Sequence, residues 1–122
     1  MDNEKRNLGA YGERLAARYL ESHGYIVVDT NWSCQHGELD IIARQGETLV
    51  FIEVRTRRSP TVESAFLSVD ARKQKKLATL AQLYLAEHDL EAAAWRIDVI
   101  AVAVPRRGQP IVEHAEDALG WQ

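Results

Sequence analysis

The stretch GELDIIARQGETLVFIEVR, residues 37–55, decides the fold of this 122-residue chain. Its two apolar runs, LDIIA and LVFIEV, flank Gly46 and predict a β-hairpin whose strands lie in the protein interior. Charged residues lie within or beside these runs, namely Glu38, Asp40, Glu53 and Arg55. Burying a carboxylate among isoleucines is unfavourable unless something compensates its charge. The hairpin therefore predicts a compensated cluster of buried charges.

The register of the hairpin follows from the alternation of side chains along a strand. A four-residue loop from Gln45 to Thr48 pairs Arg44 with Leu49, Ile42 with Phe51, Asp40 with Glu53, and Glu38 with Arg55. These residues share one face, and the other face is entirely apolar, with Leu39, Ile41, Ala43, Val50, Ile52 and Val54. A shift of the pairing by one residue would mix the two sets, whereas a shift by two would preserve them.

This register makes Asp40 and Glu53 cross-strand neighbours, with Cβ atoms roughly 5 Å apart. Two like charges at that distance repel by about 3 kcal/mol at an effective dielectric constant of 20. Arg55 would offset part of this cost, and a divalent cation such as Mg²⁺ would offset more, because it binds hard oxygen ligands. An exposed ladder of Glu and Arg side chains is the alternative. The apolar neighbours Ile42 and Phe51 argue against exposure, so the pattern favours a metal site.

The remaining periodicity predicts two helices and two to three further strands. Helical spacing of apolar residues covers residues 4–23 and, after the N-cap Asp70, residues 70–88. The second helix would bury Leu77, Leu80, Ala81, Tyr84 and Leu85. YIVV at 25–28 and RIDVIAVAV at 96–104 are typical of strands, and IVEHAE after Pro110 would add an edge strand.

Between these elements, residues 29–36 have the composition of a turn, and residues 56–67, TRRSPTVESAFL, that of a loop. The predicted order is α-β-β-β-α-β-β, an α/β protein with a mixed central sheet flanked by helices. The length predicts a single domain over residues 1–122.

Charge is unevenly distributed along the chain. The net charge is −3, yet residues 55–76 contain seven basic and two acidic residues, a local charge of +5. Such a chain can present one positive face to a polyanion while remaining acidic overall. The alternative is a solvated loop followed by a charged helix start.

Other whole-chain features bear on location. The run MDNEKRNLGAYGER lacks the apolar core of a signal peptide, and the sequence has no apolar run long enough to span a membrane. The single cysteine, Cys34, excludes an internal disulfide and fits a reducing compartment. We therefore expect a cytoplasmic protein with no membrane association.

Asp40 followed by Glu53-Val54-Arg55 on the next strand resembles the PD-(D/E)xK nuclease signature. More closely, the chain resembles the YraN family of small bacterial proteins, which have a restriction-endonuclease-like fold. The matching stretches are GAYGERLAARYLESHGY, NWSCQHGELDIIARQGETLVFIEVRTRRS, RKQKKL and RIDVIAV, which together extend over most of the sequence. Holliday junction resolvases share this plan, including a glutamate on the first helix and a glutamine after the second hairpin strand.

The resemblance implies a Mg²⁺-dependent (or Mn²⁺-dependent) endonuclease acting on DNA, with branched or structured DNA as candidate substrates. Asp40, Glu53 and the carbonyl of Val54 would bind the ion, and Glu13 and Gln74 match the positions of further catalytic residues. Arg55 departs from the pattern, because lysine stands there in the signature. Arginine stays protonated and cannot act as a base, although it still offers charge and donors to a phosphate. Resolvases of this fold are dimers, so the resemblance also implies a homodimer as one arrangement.

Further residues have candidate roles in binding nucleic acid. Those expected to neutralise phosphates are Arg57, Arg58, Lys73, Lys75 and Lys76. Lys73 could also supply the amine that this chain lacks at the lysine position of the signature, with a solvated lysine as the alternative. Trp32 could stack on an unpaired base, with packing in the protein as its alternative role. Cys34, His36 and Glu38 alternate as metal ligands can, but a zinc site usually needs four ligands, mostly Cys or His.

Three classes of function thus remain from the sequence. The first is a metal-dependent nuclease, and the second is a non-catalytic nucleic-acid-binding module that retains the nuclease fold. The third, a protein-interaction domain, explains the apolar core but not the paired carboxylates.

Overall fold

The central element is a five-stranded mixed sheet. A computed structural model describes residues 2–119 of the chain. Its strands are β1 (Ile26–Cys34), β2 (Gly37–Gln45), β3 (Thr48–Arg57), β4 (Trp95–Ala103) and β5 (Ile111–Ala115). The strands lie in the order β1-β2-β3-β4-β5, and all neighbours are antiparallel except β3 and β4, which are parallel.

Three helices complete the chain: α1 (Asp2–Ser22), α2 (Glu63–Leu67) and α3 (Ala71–Glu87). The crossover from β3 to the parallel strand β4 runs through α2 and α3, as parallel pairing requires a long connection. The predicted α/β class and element order are confirmed, with α2 as an additional element. This arrangement is compatible with a restriction-endonuclease-like fold. No helix among residues 2–119 is long and apolar enough to cross a membrane.

The two faces of the sheet bury two separate apolar clusters. Ala16 and Leu20 of α1 pack on one face, and Leu77 of α3 packs on the other. Strand residues alternate between them: Ile41, Ala43, Val50 and Ile52 lie under α1, while Ile42, Leu49 and Phe51 lie with α3. This alternation confirms the predicted parity around the hairpin turn.

The second predicted helix is confirmed as α3. The Asp70 carboxylate caps it by accepting a hydrogen bond from the Lys73 backbone N–H (2.9 Å). Its buried residues are the five expected, together with Gln74.

The prediction of a turn over residues 29–36 was wrong in part, because β1 continues to Cys34 and only Gln35 and His36 form a turn. Trp32 and Cys34 point to the α3 side and pack against its apolar cluster. This packing stabilises the extended conformation of the segment. The turn-like composition corresponds instead to local irregularities. The pairing with β2 shifts between Val27 and Asp29, and Asn31 has a φ of 52°.

The prediction of a loop over residues 56–67 was also wrong in part. Strand β3 extends to Arg57 because β4 pairs with it as far as Ala103. Residues Glu63–Leu67 then form the short helix α2, whose Ala65 is fully buried. Tertiary packing thus overrides the polar composition of this segment.

A buried carboxylate that the sequence analysis did not single out ties the C-terminal segment to the sheet. Asp98 on β4 is fully buried and accepts hydrogen bonds from Arg96 Nε (3.0 Å) and the Asp117 backbone N–H (2.9 Å). His114 Nε2 lies 2.7 Å from its other oxygen. These partners, the His114 and Arg96 hydrogen bonds foremost, hold the pKa of Asp98 below its usual value against the effect of burial. The network is therefore a structural anchor.

Helix α1 approaches the sheet unusually closely at Gly12. A Cβ atom at this position would lie 1.8 Å from Thr56 Oγ1 and 2.8 Å from Thr56 Cβ on β3. Only a residue without a side chain allows this approach. Gly12 thus sets the height of α1 over β3, and with it the position of its neighbour Glu13.

We predict opposite effects for two glycine substitutions in α1. Gly12→Ala should lower the free energy of unfolding by about 2 kcal/mol or more, because the new methyl group collides with Thr56. Gly9→Ala should raise it by about 0.5–1 kcal/mol, because alanine is the better helix former and the space beside Gly9 is open. Urea denaturation of both variants checks this. Equal effects of the two substitutions would contradict the close approach.

Candidate active site

The candidate site forms where β2 and β3 separate. The two strands pair from Gln45–Thr48, across a two-residue turn at Gly46, to Ile41–Ile52. The turn is shorter than expected, but the predicted pairs Arg44–Leu49 and Ile42–Phe51 are confirmed. The predicted ladder does not continue through Asp40 and Glu53.

Asp40 fills the gap that opens beyond this ladder. Its Oδ2 atom accepts a hydrogen bond of 2.9 Å from the Val54 backbone N–H, the group that a continuing ladder would have used. The predicted face of Leu39 was wrong as a consequence. Leu39 packs on the α3 side with Ile42, three residues away, so the strict alternation of β2 is broken beside Asp40.

Glu53 lies on the floor of the site with two cationic partners. Its side chain is only 6% exposed, and its Oε2 lies 2.9 Å from Arg55 Nη2 and 3.5 Å from Lys73 Nζ. Arg55 reaches the site from the same strand and Lys73 from the first turn of α3. The predicted pairing of Arg55 with Glu38 was wrong: Glu38 is exposed and lies opposite Ser33 on β1.

The surroundings of Asp40 act strongly on its titration. Burial and, next, the charge of Glu53 raise the pKa of Asp40 to about 8, and the charge of Glu13 adds to this. The Val54 N–H acts in the opposite direction. Two acidic groups from neighbouring strands therefore meet in a desolvated place, although not as the ladder pair that the predicted register required.

Helix α1 covers the site from the other side. Glu13 projects from α1 and its Oε1 accepts a hydrogen bond of 2.8 Å from Asn31 Nδ2 on β1. Glu13, Asp40, Glu53, Val54 and Arg55 line one open cavity of about 670 Å³, called here the carboxylate cleft. Asn31 was missed by sequence reasoning. The available signal was its residue type, because asparagine tolerates the left-handed φ of 52° found there better than most residues do.

The predicted phosphate contacts divide between the cleft and the α3 surface. Arg57 and Arg58 line the carboxylate cleft, and Lys73 contacts Glu53. Lys75 is exposed on α3, and the stem of Lys76 lies over Gly37. The cleft also contains Lys5 of α1. The charge count over residues 55–76 could not reveal this cation, because Lys5 lies 50 residues before Arg55 in the sequence.

Two further candidates have structural partners. Gln74 is buried at the start of α3, where its Nε2 donates to the Val69 carbonyl (3.1 Å). Trp32 donates from Nε1 to Glu87 (2.8 Å) and packs its ring edge-on against Tyr84. Trp32 therefore packs against α3, the alternative role considered above.

The donor set of the cleft is small. Among residues 2–119, no three or more His, Cys, Asp or Glu side chains are grouped so as to hold a metal ion. This excludes, for the described part of the chain, a zinc site from Cys34 and His36. The cleft contains the carboxylates of Asp40 and Glu53, beside the part of β3 that no longer pairs with β2.

The fold and site together define a class, an α/β protein of restriction-endonuclease-like architecture with two carboxylates at the separation of a hairpin. Comparison with known families agrees. The family model described as "Uncharacterised protein family UPF0102" matches residues 12–102. The chain belongs to the UPF0102 family, which is the YraN family, so the predicted resemblance is confirmed.

Relatives from distant bacteria match almost end to end, and each is called a UPF0102 protein. The relative from Beutenbergia cavernae is 51% identical over 110 residues, which cover 90% of this chain and 93% of the relative. The relative from Streptomyces griseus is 47% identical over 93% of this chain and 96% of its own length. The relative from Chloroflexus aurantiacus is 46% identical over 93% of this chain and 92% of its own length.

The raised pKa of Asp40 predicts a pH-dependent penalty in metal-free protein. Between about pH 4, the unfolded value, and pH 8, the folded state binds the extra proton, so stability falls as the pH rises. Asp40→Asn removes this titration and keeps an acceptor for Val54. In EDTA, the variant should gain about 3 kcal/mol relative to the parent between pH 5 and pH 9.

Chemical denaturation at pH 5, 7 and 9 measures this gain. Glu47→Gln, which neutralises an exposed carboxylate in the hairpin turn, is the control and should stay within about 0.5 kcal/mol of the parent throughout. An Asp40→Asn difference that is the same at pH 5 and pH 9 would show that Asp40 is not desolvated.

Proposed function

We propose that this protein is a metal-dependent nuclease that hydrolyses phosphodiester bonds in DNA. The observation that carries the proposal is the meeting of Asp40 and Glu53 in one cleft, lined by cations that suit a phosphate. A purely structural ion cluster would place the carboxylates against their cations and close the site. Here the cleft remains open beside them.

The donor set of the cleft fits Mg²⁺ or Mn²⁺. Mg²⁺ typically takes one or two carboxylates and keeps several waters, and Asp40 and Glu53 supply such a pair. The Val54 carbonyl is a third candidate oxygen, because the N–H and C=O of one strand residue point to the same side, and the Val54 N–H points to Asp40. When bound, the ion would polarise the phosphate and make a water more acidic.

The protein groups around this pair have separate roles. The Val54 N–H fixes one oxygen of Asp40, and Arg55 fixes one oxygen of Glu53, so both carboxylates are oriented before any ligand binds. Glu13, oriented by Asn31, faces the pair across the cleft and can accept a proton from a water there. Such preorganised groups require no rearrangement during the reaction.

Arg55 and Lys73 divide the work of the single lysine in the nuclease signature. Arg55 contributes fixed positive charge, and its remaining N–H groups can bind a phosphate oxygen. Lys73 brings a primary amine to within 3.5 Å of Glu53 from α3, so an amine is available although the signature position holds arginine. Lys73 can hold or move a proton at Nζ, which Arg55 cannot.

The rim of the cleft supports a polyanionic substrate. Arg57 and Arg58 continue along β3 and beyond it from Arg55, and Lys5 faces them from α1. Contacts of these side chains with phosphates would give an affinity that depends strongly on salt and little on sequence.

A nuclease assay tests the proposal. The full chain should cleave labelled junction, flap, single-stranded or duplex DNA in Mg²⁺ or Mn²⁺ and not in EDTA. Asp40→Asn and Glu53→Gln should each reduce the cleavage rate by at least about 100-fold, since each removes a charge at the site of transition-state stabilisation. Mg²⁺ should also raise the Tm of the parent and not that of Asp40→Asn.

Glu38→Gln is the matched control, because it neutralises an exposed carboxylate two residues from Asp40 on the same strand. It should cleave at the rate of the parent. Salt-sensitive DNA binding without cleavage in any metal would favour the alternative function, a non-catalytic nucleic-acid-binding module. Absence of DNA binding at low salt would refute both functions.

The separate roles proposed for Arg55 and Lys73 give a further prediction. Lys73→Met keeps the aliphatic stem and should lower the single-turnover rate about tenfold or more, with a smaller change in Kd for DNA. Arg55→Lys should retain or exceed the activity of the parent, because it restores the signature residue. Lys75→Met, on the exposed side of α3, is the control and should leave the rate unchanged. A normal rate for Lys73→Met would remove the amine from the mechanism.

A further inference from the structure

A second cavity lies against α1 beside the carboxylate cleft. It has a volume of about 600 Å³, and we call it the Tyr11 groove. Its lining includes the apolar and aromatic residues Leu8, Tyr11 and Val104 and the charged residues Glu4, Lys5 and Arg58. The groove has no role in the chemistry described above.

The Tyr11 groove is continuous with the carboxylate cleft. Lys5, Leu8 and Arg58 line both cavities, so the two share one wall. A chain of nucleotides with one phosphate at Asp40 and Glu53 would therefore place an adjacent nucleotide beside Tyr11.

The chemistry of the groove suits a nucleobase. The half-buried Tyr11 ring and the side chains of Leu8 and Val104 form an apolar surface for the flat face of a base. Lys5 and Arg58 lie where the neighbouring phosphates would pass, and they outnumber the single acid Glu4. The Arg14 guanidinium, which is not part of the groove lining, lies 5.9 Å from the centre of the Tyr11 ring, within the range of a cation–π contact. Aromatic side chains next to basic ones are the usual platform for unpaired bases.

We propose that the Tyr11 groove stacks an unpaired base next to the phosphate at the carboxylate cleft, so that the preferred DNA is single-stranded at that point. In a duplex, both faces of each base are covered by its neighbours, and a protein ring can reach only an unstacked base. This inference rests on the proposed nuclease function and specifies its substrate. Tyr11 thus takes the role that the sequence analysis considered for Trp32.

Binding of oligonucleotides with and without bases tests the stacking directly. In EDTA, the parent should bind a 12-nucleotide oligo(dT) about tenfold more tightly than a 12-nucleotide chain of abasic sites, which keeps the phosphates and lacks the bases. Tyr11→Leu should abolish this difference. Tyr11→Phe keeps the ring and should retain it. Fluorescence anisotropy measures each Kd, and thermal unfolding confirms that the variants are folded.

The failures of the two proposals are distinguishable. If Tyr11→Leu prefers oligo(dT) over the abasic chain as the parent does, the stacking inference is overturned while the nuclease proposal stands. Tighter binding of a 12-base-pair duplex than of oligo(dT) by the parent would overturn it equally. If the parent binds none of the three at low salt, the proposed function fails and the inference fails with it.

Discussion

The hydrogen bond from the Val54 backbone to Asp40 is the constraint on which the site depends. At the end of the β2–β3 ladder, a backbone N–H would otherwise lie unpaired in a desolvated place, and a side-chain carboxylate takes the position of the missing strand partner. The bond holds the carboxylate inside the protein, next to Glu53, at a place that burial alone would disfavour. Because a side chain and not a backbone group bonds to Val54, β2 and β3 separate here. The break in alternation at Leu39 and the open cleft follow from this separation.

Two cations and helix α1 complete the site around Asp40 and Glu53. Arg55 and Lys73 compensate Glu53 from two different elements, so Asp40 is left as the less compensated member of the pair. Helix α1 closes the opposite side at a height set by Gly12 against Thr56. The cleft is thus made by three elements around two acids and stays open beside them, and this arrangement is the basis of the proposed nuclease function.

Local patterns in the sequence were sufficient for the hairpin, the faces of its strands from Ile41 to Ile52, and the α3 cap. They failed where long-range packing decides the conformation. Trp32 and Cys34 extend β1 through a polar run because α3 covers them, and pairing with β4 extends β3. Lys5 reaches the site across the fold from α1. Asp98 was hidden within an apolar run because two of its partners, His114 and Asp117, lie in a segment remote in sequence.

The packing of α1 on the sheet has a consequence for the order in which the elements fold while the chain is being translated. This helix leaves the ribosome before the strands, yet β3 and β4, on which it packs, are complete only once Ala103 has emerged. The hairpin with both acids can pair earlier from local contacts alone. In a nascent chain, Asp40 and Glu53 would thus come together well before α1 brings Glu13 to them. The cleft would therefore form late, and a product truncated before β4 would lack it.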